Sequence, residues 1–495
     1  MPKRPVRLAL LGIVLMAAAV RLWGLTTHSV WYDEAASLAF ARLPLASLFG
    51  GVADPGNPPL YYLLLRGWVA LFGSSEAGLR GLSALAGILA VPALFALARE
   101  LFDDDRVALT GASILALLPM HVAYSQEARQ YAVLTLVGIL AAWSWAVALR
   151  TDRWRWWLLG GAAAGLGFWV HYTGALVPLF LGTHALLAAR RLRAFAALGL
   201  CALVCAVPLT IYFAPSAGSY PFWQGNQGLG ALLDLANATF GWVLPSGPTP
   251  AEVRYPLAAA LLAAVFVPLA LGALGALRAP VRRGLQMATC YFLAPLLFFL
   301  GVCAFKPVWH ARYLLVALPG LVLTAAWVMQ HAPRLAKLSL IPLWAFLTLF
   351  GLATSAVHWR NVDWRGAGAA AADVQRASGG GQGWILVTRP DQELPFAYYD
   401  QLAWPRQGYE QGQPPDCARL EALASQPGTT VVVQADGADG DPSLIVAHAL
   451  ARRHGGGGLK RLHRLRVFAF GPGAAASGFV PIAAADVLAE ANPCR

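Results

Sequence analysis

The sequence holds five places where polar and ionisable side chains gather among apolar residues. The first is Trp31-Tyr32-Asp33-Glu34, two adjacent carboxylates eight residues after an apolar run of bilayer length. A positioned carboxylate at a membrane face suits general-base chemistry, a metal site or a helix cap. The second is Asp54-Pro-Gly-Asn57-Pro-Pro-Leu-Tyr61. The third is Tyr124-Ser-Gln126-Glu127-Ala-Arg129-Gln-Tyr131, and the fourth is His171-Tyr172. The fifth is Lys306-Pro-Val-Trp-His310-Ala-Arg312-Tyr313. Arg129, Lys306 and Arg312 supply cations. Arginine holds phosphate by a two-point fork and lysine as a point charge. Each cluster alone also fits headgroup anchoring, because tryptophan, tyrosine and basic residues collect at bilayer interfaces. His171 and His310 stand singly, and lone histidines more often bond locally than ligate, so no metal site is read.

The elements that must position these residues are membrane helices. The chain has 495 residues, 58% hydrophobic and only 13% charged, and a mean hydropathy of +0.56. Apolar runs long enough to cross a bilayer recur from Leu8 to Val357, and lipid forces such runs to be helical. About eleven spans are expected, near 8–25, 81–99, 107–122, 131–149, 156–170, 172–189, 194–213, 255–277, 285–305, 313–329 and 338–356. The apolar stretch Trp156–Ala189 is too long for one span and breaks at His171-Tyr172-Thr173. Segment 26–80 is too long for a simple loop. It reads as an outer segment with interfacial helices at 35–49 and 58–72.

The net charge of +12 has a topological origin. With the basic N-terminus inside, the inner loops hold 16 Lys/Arg against 5 Asp/Glu, and the outer segments hold 7 against 7. This is the positive-inside pattern, and it leaves no basic patch that calls for a nucleic acid. On this topology all five polar clusters face outward. The membrane module is expected at 1–356 and a soluble, extracytoplasmic α/β domain at 357–495. In that domain Trp384–Thr388, Thr429–Gln434 and Arg464–Phe470 read as strands, and Arg419–Ala424 and Pro442–Arg453 as helices. Cys201, Cys205, Cys290 and Cys303 lie in spans as small apolar residues. Cys417 and Cys494 could pair if the tail is extracytoplasmic.

Taken in order, Trp31-Tyr-Asp-Glu-Ala35, Asn57-Pro-Pro-Leu-Tyr-Tyr62, Tyr124-Ser-Gln-Glu-Ala-Arg-Gln-Tyr-Ala132 and Ala311-Arg-Tyr-Leu-Leu-Val-Ala-Leu-Pro319 resemble a known family. These motifs are similar to those of the family-39-type glycosyltransferases of GT-C architecture, which include the dolichyl-phosphate-mannose protein mannosyltransferases and the lipid A aminoarabinose transferases. The similarity runs over residues 8–356. It implies an inverting transferase that takes a sugar from a polyprenyl phosphate in the outer leaflet of the cell membrane and moves it to a protein, lipid or glycan acceptor. It maps the family's catalytic carboxylate onto Asp33, with Glu34 beside it. Substrate contacts fall among Asn57, Tyr61, Gln126, Glu127, Arg129, Tyr131, His171, Tyr172, Lys306, His310, Arg312 and Tyr313. No cofactor is implied. The aminoarabinose transferases carry an acidic residue and a lysine before the paired prolines; this chain has Gly56-Asn57, which makes aminoarabinose the weaker expectation. The competing class is a transporter or flippase. Transporters bind at the midplane through broken helices and internal repeats, whereas the ionisable groups here sit at span ends.

Overall fold

In the computed structural model the chain divides into two compact units, Met1–Leu25 with Leu38–His358, and Thr26–Ser37 with Trp359–Arg495. The described residues are all except 1–2, 50–56, 190–191, 209, 211–226, 245–249, 278–281, 307, 359–361, 389–391, 401–403, 409–417, 419–421, 423–424, 426, 436–444 and 484–495. Asp54, Cys417, Cys494 and almost all of the helix expected at Arg419–Ala424 fall outside them.

The first unit is helical. Its leading elements are α1 (Arg4–Leu22), α2 (Tyr32–Arg42, shared with the second unit), α3 (Leu45–Phe49), α4 (Leu60–Phe72), α5 (Glu76–Phe102), α6 (Asp105–Leu117), α7 (Pro119–Ser125), α8 (Tyr131–Thr151), α9 (Trp154–Val170), α10 (Leu176–His184) and α11 (Leu192–Pro208). Helices Gly228–Thr239, Ala251–Leu277, Arg282–Phe305, Leu318–His331 and Arg334–His358 complete it. Seven helices are long and apolar enough to cross a membrane, and eight if α6 and α7 are one broken span. The chain is a polytopic membrane protein. The expected count of eleven needs α9 and the shorter helices Tyr172–Leu187 and Leu192–Ala206 as well, so length and apolarity alone do not reach it.

Two expectations change in detail. The run 107–122 is not one straight helix. Leu118 is non-helical, Pro119 opens α7 at a position where a missing N–H costs nothing, and the axis turns by 57°. The interfacial helix expected at 35–49 begins earlier, at Tyr32, and is cut at Leu43-Pro44 into α2 and α3. The piece 58–72 is the 13-residue α4, too short to span 30 Å when straight.

The break of α6 has its own partner. Ending a helix leaves carbonyls without intrahelical donors. Arg21, fully buried in the last turn of α1, donates to the carbonyls of Ala116 at 2.7 Å and Leu115 at 3.0 Å. Its second terminal nitrogen also lies 2.8 Å from His121 Nδ1 on α7. A guanidinium only donates, so that ring nitrogen accepts. Gly87 on α5 makes the room, because a Cβ there would collide with the Ser125 side chain and sit 3.0 Å from Arg21 Nε.

The second unit is an α/β layer. Six strands run in the order β2-β1-β3-β5-β4-β6, with β1 (Gly383–Val387) parallel to β2 (Arg406–Gly408) and β3 (Thr429–Ala435). β5 (Leu465–Phe470) is antiparallel to β3 and to β4 (Gly457–Leu462), and β6 (Val480–Ile482) closes the far edge. Side chains alternate across the sheet. Ile385, Val387, Val431, Val433, Leu465 and Val467 pack with Trp364 and Ala371 of helix Trp364–Ala377. Leu386, Val432, Phe468 and Phe470 pack with Val446 and Leu450 of helix Ile445–His454. Both faces are covered, which is why the central strands read as continuous apolar runs. Thr26–Ser37 belongs to this unit, so segment 26–80 is divided between the two units and does not lie wholly in the membrane module.

Candidate active site

The carboxylate pair sits at the start of α2. The Trp31 carbonyl accepts from the N–H groups of Glu34 and Ala35 at 3.1 and 3.0 Å, so Trp31 is the residue that opens the helix. Glu34 stands three places on. Its Oε2 accepts from the Trp31 N–H at 3.3 Å, the backward half of a capping box. Glu34 is fully buried and Asp33 half-buried. Trp31 therefore holds the N-cap position, and Asp33 lies inside the first turn. Ser37 Oγ donates to the Asp33 carbonyl at 2.7 Å, a contact within the helix.

In the first unit the third, fourth and fifth clusters come together. The kink at Leu118 directs α7 into the turn Gln126–Gln130, and α8 then starts at Tyr131. α9 stops at Val170, His171 is extended, and a 3-10 turn, Tyr172–Ala175, leads into α10. A second 3-10 turn, Ala311–Ala317, follows His310. These turns set Arg312 over the rings of Tyr131 and Tyr313, with its central carbon 5.8 and 5.9 Å from the ring centres. The Tyr131 and His171 rings lie 5.3 Å apart, and those of His171 and Tyr313 6.0 Å apart. Tyr172 is at the edge of the same group, 6.5 Å from His171. Arg129 and Glu127 are both buried. Burial first, then the nearby Arg129 and Arg312, push the His171 imidazole down to about 3. Burial and Arg312 push His310 down to about 3 as well. Both rings are neutral at physiological pH. Each uses Nδ1 to accept a backbone N–H, from Thr173 at 3.1 Å and from Arg312 at 3.4 Å, which leaves the proton on Nε2.

Two arginines, two neutral histidines and the aromatic rings form one cluster, with the Glu127 carboxylate buried in the same turn as Arg129. The other expected residues stand behind it. Gln130 donates to Asn57 Oδ1 at 2.6 Å. The Tyr61 hydroxyl meets Ser83 Oγ at 3.2 Å, and Ser83 donates to the Arg129 carbonyl at 2.9 Å. Asn57 and Tyr61 thus brace the turn that carries Arg129. The Gln126 amide nitrogen donates to the carbonyls of Val20, Arg21 and Trp23, fixing the turn to the end of α1. Lys306 is exposed at the end of its helix.

Asp234 went unread in the sequence. It lies on helix Gly228–Thr239, and its Oδ2 accepts from Trp309 Nε1 at 3.0 Å. Burial raises its carboxyl, while Trp309 and the Ala311 N–H lower it. It therefore steadies the segment that carries His310 and Arg312. The only signal was one acidic residue in an apolar amphipathic helix, and its partner lies 75 positions away. Among the described residues, no three His, Cys, Asp or Glu side chains could hold a metal ion.

Residues 56–212 match the sequence family described as dolichyl-phosphate-mannose-protein mannosyltransferase. The undecaprenyl phosphate-alpha-4-amino-4-deoxy-L-arabinose arabinosyl transferase 1 of Pseudomonas fluorescens is 24% identical over 238 residues, 44% of this chain and 42% of that protein. The match thus spans less than half the length of that relative. The crystal structure of ArnT from Cupriavidus metallidurans in the apo state has a TM-score of 0.63 at 16% identity, covering 93% of this chain and 97% of ArnT. The same protein bound to undecaprenyl phosphate gives 0.61 at 17% identity over the same shares. Archaeal AglB from Archaeoglobus fulgidus, in complex with an inhibitory peptide and a dolichol-phosphate, gives 0.51 at 13% identity, covering 97% of this chain and 77% of AglB. The chain therefore carries the fold of the GT-C membrane glycosyltransferases.

Proposed function

We propose that the protein is an inverting glycosyltransferase that moves a sugar from a polyprenyl-phosphate donor to a protein, lipid or glycan acceptor on the outer face of the cell membrane. The observation that carries this reading is the cluster of Arg129 and Arg312 against Tyr131, His171 and Tyr313. Undecaprenyl phosphate in ArnT and dolichol-phosphate in AglB are the kind of ligand it fits. A sugar–phosphate bond breaks through an oxocarbenium-like state, and its leaving group departs as an anion. Such a leaving group needs cations more than it needs a proton donor. Arg129 and Arg312 take that role, with Lys306 as an outer contact. The acceptor's proton goes to Asp33, and single displacement inverts the anomeric centre. The reading includes eleven spans, a cytoplasmic N-terminus and an extracytoplasmic tail, which the charge distribution supports.

Two measurements test it together. Mass spectrometry of envelope glycolipids and glycoproteins, with the gene deleted, identifies the product by its loss. Purified protein given radiolabelled polyprenyl-phosphate sugar and membrane extract is then expected to transfer label and to release polyprenyl phosphate. Movement of the lipid-linked sugar across vesicles without any transfer would replace this reading with a transporter.

A further inference from the structure

The tail domain and the stretch that leads into Asp33 are one unit, although some 330 residues separate them. Hydrogen bonds between described residues join them. The Val30 N–H donates to the Tyr399 hydroxyl at 2.7 Å. The Arg365 side chain donates to the Thr26 carbonyl at 2.7 Å, and the Arg365 backbone N–H donates to Ser29 Oγ at 3.2 Å. Ser29 and Val30 are buried and their two bonds are part-buried, whereas the Arg365–Thr26 bond is exposed. Val30 is three residues before Asp33 and directly before Trp31, whose carbonyl starts α2.

Both tail residues are themselves held fast. Arg365 is in the first turn of helix Trp364–Ala377, next to the fully buried Trp364. Asp363 caps that helix by accepting from the Gly366 N–H at 2.9 Å, and its own N–H donates to the His463 carbonyl between β4 and β5. Tyr399 ends helix Glu393–Tyr399 and packs on the apolar core beneath the sheet. Gly368 lets the two helices approach: a Cβ there would lie 2.9 Å from Tyr399 Cβ. The clip is thus anchored in the domain core and not on a loop.

We infer that Tyr399 and Arg365 are positioning residues for Asp33, and that one task of the tail domain is to fix the first turn of α2. The inference rests on the reading of Asp33 as the base, because only then does its placement set the rate. A displacement of about 1 Å in a reacting group can cost as much as a hundredfold. Tyr399→Phe removes one oxygen and keeps the ring. In the full-length protein it is expected to speed amide exchange across residues 26–37 and to leave the sheet strands protected. Binding of undecaprenyl phosphate, used as the probe, is expected to stay within about twofold, while kcat for transfer falls about tenfold or more. Arg365→Gln is the second variant and is expected to act in the same direction. In an Asp33→Asn background Tyr399→Phe should cost nothing further, since both act through one carboxylate. Unchanged exchange over residues 26–37 in both variants, or losses that simply multiply with Asp33→Asn, would overturn the inference. Wild-type transfer by Asp33→Asn alone would instead remove the base reading, and the exchange data would still decide whether the clip exists.

Discussion

Asp33→Asn separates chemistry from helix capping. Asparagine caps a helix about as well as aspartate but cannot take a proton as a base. The structure places Trp31 at the helix opening and gives the backward cap to Glu34 Oε2. Asparagine at position 33 therefore costs no cap. It removes a negative charge from the first turn, worth about 0.3–1 kcal/mol against the helix dipole, and keeps one side-chain oxygen as an acceptor. Folding, insertion and detergent stability should barely change. Transfer should fall by roughly 10²–10⁴, the usual worth of a positioned base. Even the lower figure is about 2.7 kcal/mol of barrier, well above the stability term. The assay is release of polyprenyl phosphate from a radiolabelled lipid-linked donor, with thermal unfolding measured on the same preparation. Glu34→Gln is the contrast. Glutamine also serves at the third helical position of a capping box, so this variant should keep most activity. Near wild-type transfer by Asp33→Asn, or a larger loss from Glu34→Gln than from Asp33→Asn, refutes the assignment.

Arg312→Ala should lose roughly 10- to 150-fold in transfer, corresponding to about 1.5–3 kcal/mol for a charged contact. Arg312→Lys should recover only part of it, since lysine keeps the charge but loses the fork and its stacking on Tyr131 and Tyr313; equal activity of all three proteins would show that Arg312 only anchors the helix. His171, held neutral with its proton affinity pushed down to about 3, binds fewer protons folded than unfolded. Stability should therefore rise with pH between about 3 and 6.5. Acidification from pH 6.5 to 5 should cost roughly 2 kcal/mol through this one ring, and His171→Phe should flatten the thermal-stability profile there. Alkaline phosphatase fused after Gly381 should be active and green fluorescent protein at the same point dark; the reverse pattern would place the tail in the cytoplasm. Chelation with EDTA should leave transfer unchanged, because the arginines supply the positive charge; loss of activity restored by a divalent ion would assign that role to a metal.

Much of the first unit was legible in its hydropathy. Apolar runs such as 81–99, 131–149 and 255–277 match long helices, and the His171 break is where the helix ends. Periodicity does not report bends, so α6 and α7 read as one run, although Pro119 within it was the available signal. Helix Trp364–Ala377 went unread because two glycines and four polar residues interrupt an alanine-rich segment with Asp363 as its cap. β2 and β6 have only three residues each, too few to show alternation. In the site, the charged and aromatic motifs pointed to Arg129, His171 and Arg312. Their bracing by Gln126, Ser83 and Asp234 depends on contacts between residues far apart in sequence, and no local pattern encodes it. The assignment of Thr26–Ser37 to the tail domain is invisible for the same reason.

The Arg21 arrangement has a consequence for how such a chain can vary over generations. Its guanidinium fits only where a helix has been broken, so that the Leu115 and Ala116 carbonyls are open, and where Gly87 leaves space. Change Arg21 alone, and buried carbonyls are stranded in an apolar layer. Restore a straight helix at Leu118-Pro119 alone, and a buried charge loses its acceptors. Either single step costs several kcal/mol, and only the joint step is cheap. Arg21, Gly87, Pro119 and His121 therefore behave as one heritable character. In descendants of this sequence they are expected to persist together or to disappear together, even while the lipid-facing residues of the same helices drift freely.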